Sequence, residues 1–282
     1  MRNPAPSTGL FETAADREAL ERAAAAAAPI APERTDQGVV QQLAPELRPA
    51  LFGLLSTLAD NKYLLGRRYA EWCTGAPLLE AAVAAAAMAQ DELGHARSFY
   101  PLLRAFPEAS AATSMEERGW QQRATSAVAC LDVRFGSWSE FIATNLLVDT
   151  AFTTLLASAS ESGYEPLRQR ARKIVAEERP HWVHAQGWAR RLAADAHTRP
   201  LLERALAKCW PHAATWLGPD DDPLLTQLCA AGVLQHPSAR LREQLRARVA
   251  PVLEGADLPT SVLDTPLPWQ RWDPSRRRLV GD

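Results

Sequence analysis

The sequence predicts an all-α protein: a four-helix bundle with additional flanking helices and an extended C-terminal tail. Three observations carry this expectation. Ala, Leu, Arg and Glu are abundant while alternating runs of β-branched residues are few, which favours helices over strands. Turn signals at Thr74-Gly75-Ala76-Pro77, Phe106-Pro107, Ser162-Gly163 and Leu217-Gly218-Pro219 cut the chain into segments of helical length. A weak internal symmetry is also present. One helix pair around residues 46–104 ends in a Glu-x-x-His, and a second pair around 137–194 ends in another.

Helices are expected at about 14–28, 46–70, 77–104, 115–130, 137–162, 164–194, 198–216, 222–232 and 237–251. Pro77 fits the first turn of its helix, and Pro180 should kink the one that contains it. Three regions follow: an N-terminal extension with a short helix (1–45), the helical bundle (46–257), and an extended tail (258–282). The tail carries Pro259, Pro266, Pro268 and Pro274, and Trp269 and Trp272 are expected to pin it to the bundle.

With 282 residues, 47% hydrophobic and 23% charged, the chain has ample material for a core. A formal net charge of −2 points to neither nucleic acid nor an anionic membrane surface. Cys73, Cys130, Cys209 and Cys229 show no CxxC spacing, so a zinc knuckle or disulfide framework is not expected. Free thiols suit a reducing cytoplasm. The N-terminus shows no apolar signal core, and no uncharged apolar stretch of about 18 residues predicts a transmembrane helix.

The chemistry concentrates in the two Glu-x-x-His motifs. Glu92 and His95 stand three residues apart, which puts both on one helix face, and Glu178 and His181 repeat the spacing. Ferritin-like di-iron carboxylate proteins use two helices that each give Glu-x-x-His and two that each give one carboxylate. Bridging carboxylates hold two hard cations close and imidazoles complete each coordination sphere. A single such motif occurs by chance on helix surfaces; two, each after a long helix, make a constellation. Asp149 supplies a third carboxylate from the apolar stretch Asn145 to Phe152, where a lone acid is costly unless paired or metal-bound. The fourth is missing. Some thirty residues before Glu92 stands Lys62, and Asp60 lies roughly 200° away around the same helix.

These residues resemble the phenylacetyl-CoA epoxidase family of bacterial multicomponent mono-oxygenases. Gln90-Asp91-Glu92-Leu93-Gly94-His95 is similar to that family's Gln-Asp-Glu-x-Gly-His, and Leu147-Val148-Asp149 to its Leu-Val-Asp. Lys173-Ile174-Val175-Ala176-Glu177-Glu178-Arg179-Pro180-His181 is similar to its Lys-Ile-x-x-Glu-Glu-x-x-His. The resemblance runs from about residue 45 to the end and is nearest the catalytic subunit. Leu58-Ala59-Asp60-Asn61, with Gly66 and Glu71-Trp72-Cys73, looks instead like the metal-free structural subunit of the same complex.

The resemblance implies a di-iron mono-oxygenase that uses O2 to epoxidise or hydroxylate an aromatic acyl-CoA such as phenylacetyl-CoA. Its metal ligands would be Glu92, His95, Asp149, Glu178 and His181, with Lys62 and Asp149 as catalytic candidates. It implies iron, two ions or one, with manganese an alternative. It also implies a separate reductase, and a homodimer or a hetero-oligomer with a homologous helical subunit. Lys62 stands where the family has a ligand glutamate. It can be protonated and bridge carboxylates, be neutral and ligate, or turn away while Asp60 or water fills the gap. The alternatives to an oxygenase are a non-catalytic structural subunit, a single-metal variant, and iron storage.

Other residues carry two readings each. His184 lines the site or merely flanks a packed helix; Trp182 and Trp188 read as core. Glu177 bonds a histidine or forms a surface salt bridge. Arg67-Arg68, Arg190-Arg191 and Arg276-Arg277-Arg278 grip the phosphates of CoA or are solvated faces.

Overall fold

Helix α1 (Arg48–Ala70) sets the architecture, because every residue from Leu54 to Gly66 is buried. A helix enclosed on all sides must find internal partners for any polar group it carries, and this one carries Asp60, Asn61 and Lys62 in succession. The computed structural model describes residues 40–107 and 126–281. All of them fall within a single compact unit, Asp36–Asp282.

Helix α2 (Leu79–Arg104) packs antiparallel on α1 through a stripe of Ala81, Ala85, Met88, Ala89, Glu92, His95, Ala96 and Phe99, spaced three and four residues apart. The two axes approach closely at Gly66, where a Cβ would lie 2.9 Å from Leu93 Cγ and 3.0 Å from Glu92 Cβ. The alanines and this glycine therefore fix how near Glu92 comes to α1.

The second half-bundle begins with α3 (Trp138–Thr144), whose first turn is capped by Ser137 accepting from the Glu140 amide at 3.2 Å. A π-helical turn at Asn145–Asp149 follows, then α4 (Thr150–Ser158). Residues 138–158 form the one described helical stretch long and apolar enough to cross a membrane, and they are enclosed by the rest of the bundle.

The helix expected over 164–194 is two: α5 (Glu165–Glu177) and α6 (Arg179–Ala193), with Glu178 between them. Pro180 explains the break. It has no N–H to donate and its ring crowds the carbonyl four residues back, so it occupies the first turn of a new helix. Helices α7 (Arg199–Trp216), α8 (Pro223–Ala230) and α9 (Ser238–Gly255) flank the bundle, and α8 is capped by the Asp222 side chain.

Other expectations are corrected. The chain over 126–131 is no helix but an extended entry into a short 3-10 turn at Ala129–Leu131. Asp60 accepts from the Ser126 amide at 2.8 Å and Asn61 from the Val128 amide at 2.9 Å, so α1 side chains take the backbone donors that a helix would use. Pro77 precedes its helix, which starts at Leu79 after an extended Leu78. The expected helices at 14–28 and 115–125 lie outside the described residues. The tail folds into 3-10 turns and a two-stranded hairpin, β1 (Trp272–Asp273) and β2 (Arg278–Leu279). Trp269 and Trp272 are only partly buried; arginines anchor it. Arg277, buried and at φ +50°, bonds Asp222 at 2.6 Å and the Trp216 carbonyl at 2.9 Å, and Arg278 pairs with Asp132. This arginine run is thus largely structural.

Candidate metal centre

Four elements deliver the site. The Lys62 side chain leaves the middle of α1 with 0% exposure. Its Nζ donates to Glu92 Oε1 and to Asp149 Oδ1, each at 3.0 Å, and to Glu178 Oε1. Glu92 comes from α2, Asp149 from the end of the π-helical turn, and Glu178 from the α5–α6 break. A widened turn is a common device for re-aiming a side chain at a site. Asp60, two residues from Lys62, points to Ser126, as the helical angle requires. The lysine therefore faces the cluster and the aspartate does not.

The histidines complete the cluster from opposite sides. His181 Nδ1 lies 3.2 Å from Asp149 Oδ2, 3.0 Å from Glu178 Oε2 and 3.4 Å from Glu92 Oε1. His95 Nδ1 lies 3.4 Å from Glu178 Oε1 and 3.9 Å from Glu92 Oε2. Glu92, His95, Asp149, Glu178 and His181 thus converge in one buried core, as their spacing predicts.

Around the cluster runs an outer ring, of which the sequence pointed only to Glu177 and His184. Asp91 on α2 reaches across to His181 Nε2 at 3.3 Å, and Glu177 on α5 reaches across to His95 Nε2 at 3.0 Å. Each acid immediately precedes a motif glutamate, so the doublets Asp91-Glu92 and Glu177-Glu178 were the signal that could have found them. Glu177 also bonds Lys173 at 3.1 Å, so both readings of it hold. Tyr69 donates to Asp149 Oδ2 at 3.2 Å, and Asn145 Nδ2 does so at 3.3 Å. His184 stands one layer out, 3.3 Å from Asn145 Oδ1 and packed edge-on against Trp138, with burial lowering its pKa to about 4. Trp182 and Trp188 are partly buried and stack with arginines, Arg248 over Trp182 at 4.6 Å and Arg191 over Trp188 at 4.9 Å.

The electrostatics follow from these contacts. Burial alone would strip the proton from Lys62, but Asp149, Glu178 and Glu92 outweigh it and hold the amine well above its ordinary range. Burial likewise pulls the imidazoles down, yet the adjacent carboxylates push His95 up to about 9 and His181 higher still. Burial raises Glu92, while for Glu178 the attraction of Lys62 and the histidines wins and holds the carboxyl well below its usual value. Lys62, His95 and His181 thus face the three buried acids Glu92, Asp149 and Glu178.

A two-metal centre does not fit this donor set. Two divalent ions need about four carboxylates for neutrality, and an ammonium occupies the point where the three present carboxylates meet. One ion is a different matter: donor atoms of Glu92, Asp149, Glu178 and His181 all lie within 4.8 Å of one another. They are suited to one divalent cation once Lys62 withdraws.

The family model described as phenylacetic acid catabolic protein matches residues 39–273. The chain belongs to this family. Among its relatives is a subunit of the 1,2-phenylacetyl-CoA epoxidase of Escherichia coli (strain K12). The two are 28% identical over 185 residues, covering 64% of this chain and 72% of the relative. In this member of the phenylacetic acid catabolic protein family, the acid cluster lies inside the matched region and the anchoring Arg277 and Arg278 lie just beyond it.

Proposed function

We propose that the chain is a subunit of a multicomponent oxygenase of the phenylacetyl-CoA epoxidase kind, and that it is the partner that does not activate oxygen. In it the Lys62 ammonium stands where an oxygen-activating subunit holds metal. The observation that carries this reading is the contact of one fully buried Nζ with Glu92, Asp149 and Glu178 together. A buried ammonium with three carboxylate acceptors has every proton satisfied, and the His95 and His181 imidazoles stand beside the same carboxylates. The family match and the epoxidase relative support the assembly. The aromatic acyl-CoA substrate, the electron-donating reductase and a homologous helical partner belong, on this reading, to the complex as a whole.

Metal analysis of protein produced with ample iron tests it. The wild-type chain should carry no stoichiometric metal, and Lys62→Glu, which supplies the fourth carboxylate, should gain it. Two ions in the wild type, with oxidation by O2, would reverse the reading and make this chain an iron-dependent mono-oxygenase in its own right. A second reading rests on the 4.8 Å cluster of Glu92, Asp149, Glu178 and His181. On that reading the wild type holds one divalent ion, iron or manganese, which would act there as a Lewis acid or redox centre.

A further inference from the structure

Beside the tail hairpin lies a cavity of about 560 Å³, within the size range of small-molecule sites. Its walls come from the 3-10 turn at Ala129–Leu131, from α7 and from the tail around β1 and β2. The arginine run divides here. Arg277, held at φ +50°, turns to Asp222 and the Trp216 carbonyl, while Arg276 and Arg278 on either side of it line the cavity. The α7 wall adds Lys208 and His212, four residues apart and so on one helix face, and the tail adds Arg271.

The charge of this lining is one-sided. Lys208, Arg271, Arg276 and Arg278 face the cavity against one acid, Asp132. Asp132 pairs with Arg278, and Lys208 reaches Glu140, outside the lining, at 3.0 Å. Even with Glu140 counted, these cations outnumber the acids by two to one. One donor in particular lacks its acceptor. Arg278 is 6% exposed and its two Nη atoms go to Asp132, but its Nε is buried and meets no hydrogen-bond acceptor among the described residues. A buried guanidinium N–H left without an acceptor costs free energy. An anion seated in the cavity that this side chain lines would supply one.

The walls also select the anion. A phosphate monoester carries about −1.5 to −2 charges at neutral pH and three strong acceptor oxygens. It therefore suits several guanidinium forks and an ammonium better than a single carboxylate does. The rest of the lining is partly apolar: Val133 and Val280 are exposed there, and Leu279 is buried beneath them in sequence between Arg278 and Val280. An apolar group attached to the phosphate has a surface to lie against.

We infer that this cavity binds a phosphate monoester with an apolar body, its phosphate held by Arg276, Arg278, Arg271 and Lys208. None of these residues belongs to the acid cluster, so the site stands whether or not that cluster holds a metal. Isothermal titration calorimetry of the full chain with 1-naphthyl phosphate, inorganic phosphate and 1-naphthol tests it. The ester should bind with a Kd below about 1 mM, and each of the other two at least about tenfold more weakly. Arg276→Glu and Lys208→Glu should each weaken the ester by at least about tenfold while circular dichroism stays at the wild-type signal. Arg172→Glu, an equal change of charge on exposed α5 outside the cavity, should leave the affinity unchanged. No binding of the ester overturns the inference. So does 1-naphthol as tight as the ester, which would make the cavity merely apolar, or inorganic phosphate as tight, which would leave the organic body without a role. Equal losses in Arg172→Glu and the two cavity variants would reduce the binding to net charge and overturn it too.

Discussion

Glu177 on α5 lies 3.0 Å from Nε2 of His95 on α2, and the reciprocal contact, Asp91 on α2 to Nε2 of His181 on α6, spans 3.3 Å. Each motif histidine thus has inner carboxylates near one nitrogen and an outer carboxylate, from the opposite half-bundle, at the other. An imidazole with carboxylates on both nitrogens favours the doubly protonated ring.

A pH dependence follows from His95. Its folded pKa, about 9, lies above the unfolded value of about 6.5. A raised pKa gives stability that is fully present below the unfolded value and lost as pH rises through the folded one. Unfolding free energy should therefore fall between pH 6.5 and 9, by up to about 3 kcal/mol from this group. Denaturant titrations at a series of pH values measure it, and His95→Gln should flatten that slope. An unchanged slope in the variant would assign the titration elsewhere.

Lys62→Met removes the cation that three buried carboxylates share. The loss should be about 3–5 kcal/mol at neutral pH, the cost of leaving buried charge uncompensated. It should shrink in acid, where Glu92, already raised by burial, takes up a proton. Thermal unfolding at about pH 5 and about pH 7.5 compares the two; equal losses would argue against charge as the cause.

Gly66→Ala tests the helix crossing that places Glu92. The new methyl would meet Leu93 Cγ at 2.9 Å, Glu92 Cβ at 3.0 Å and the Ala89 carbonyl at 3.1 Å, so α2 must shift or strain. Overpacking of this kind costs about 1–3 kcal/mol, even though alanine is the better helix former. A stabilised variant in urea denaturation would show that the approach is looser than it looks.

The tail should be held chiefly by Arg277. Arg277→Met strands the buried Asp222, and the loss should be about 3–5 kcal/mol, with trypsin cleaving at Arg271 and Arg276 sooner. Adding Asp222→Asn should recover part of that loss, because the stranded charge is then gone. A double variant as unstable as Arg277→Met alone would show that packing, not the ion pair, anchors the strap.

Much of this protein was legible in its sequence because helices are written locally. A 3.6-residue period fixed which residues share a face, so Glu92 with His95, and Glu178 with His181, were bound to point together. The same helical angle separates Lys62 from Asp60, and Pro180 marks the break at Glu178. The sequence alone left open what Lys62 meets, because its three acceptors lie 30, 87 and 116 residues away, and their positions depend on how helices pack. Which histidine Glu177 bonds, and that Asp91 meets His181, was hidden for the same reason. At 126–131 local preference was overruled outright, when Asp60 and Asn61 took the backbone donors a helix needs. Periodicity determined the faces of this bundle; only tertiary packing decided that an ammonium sits where those faces meet.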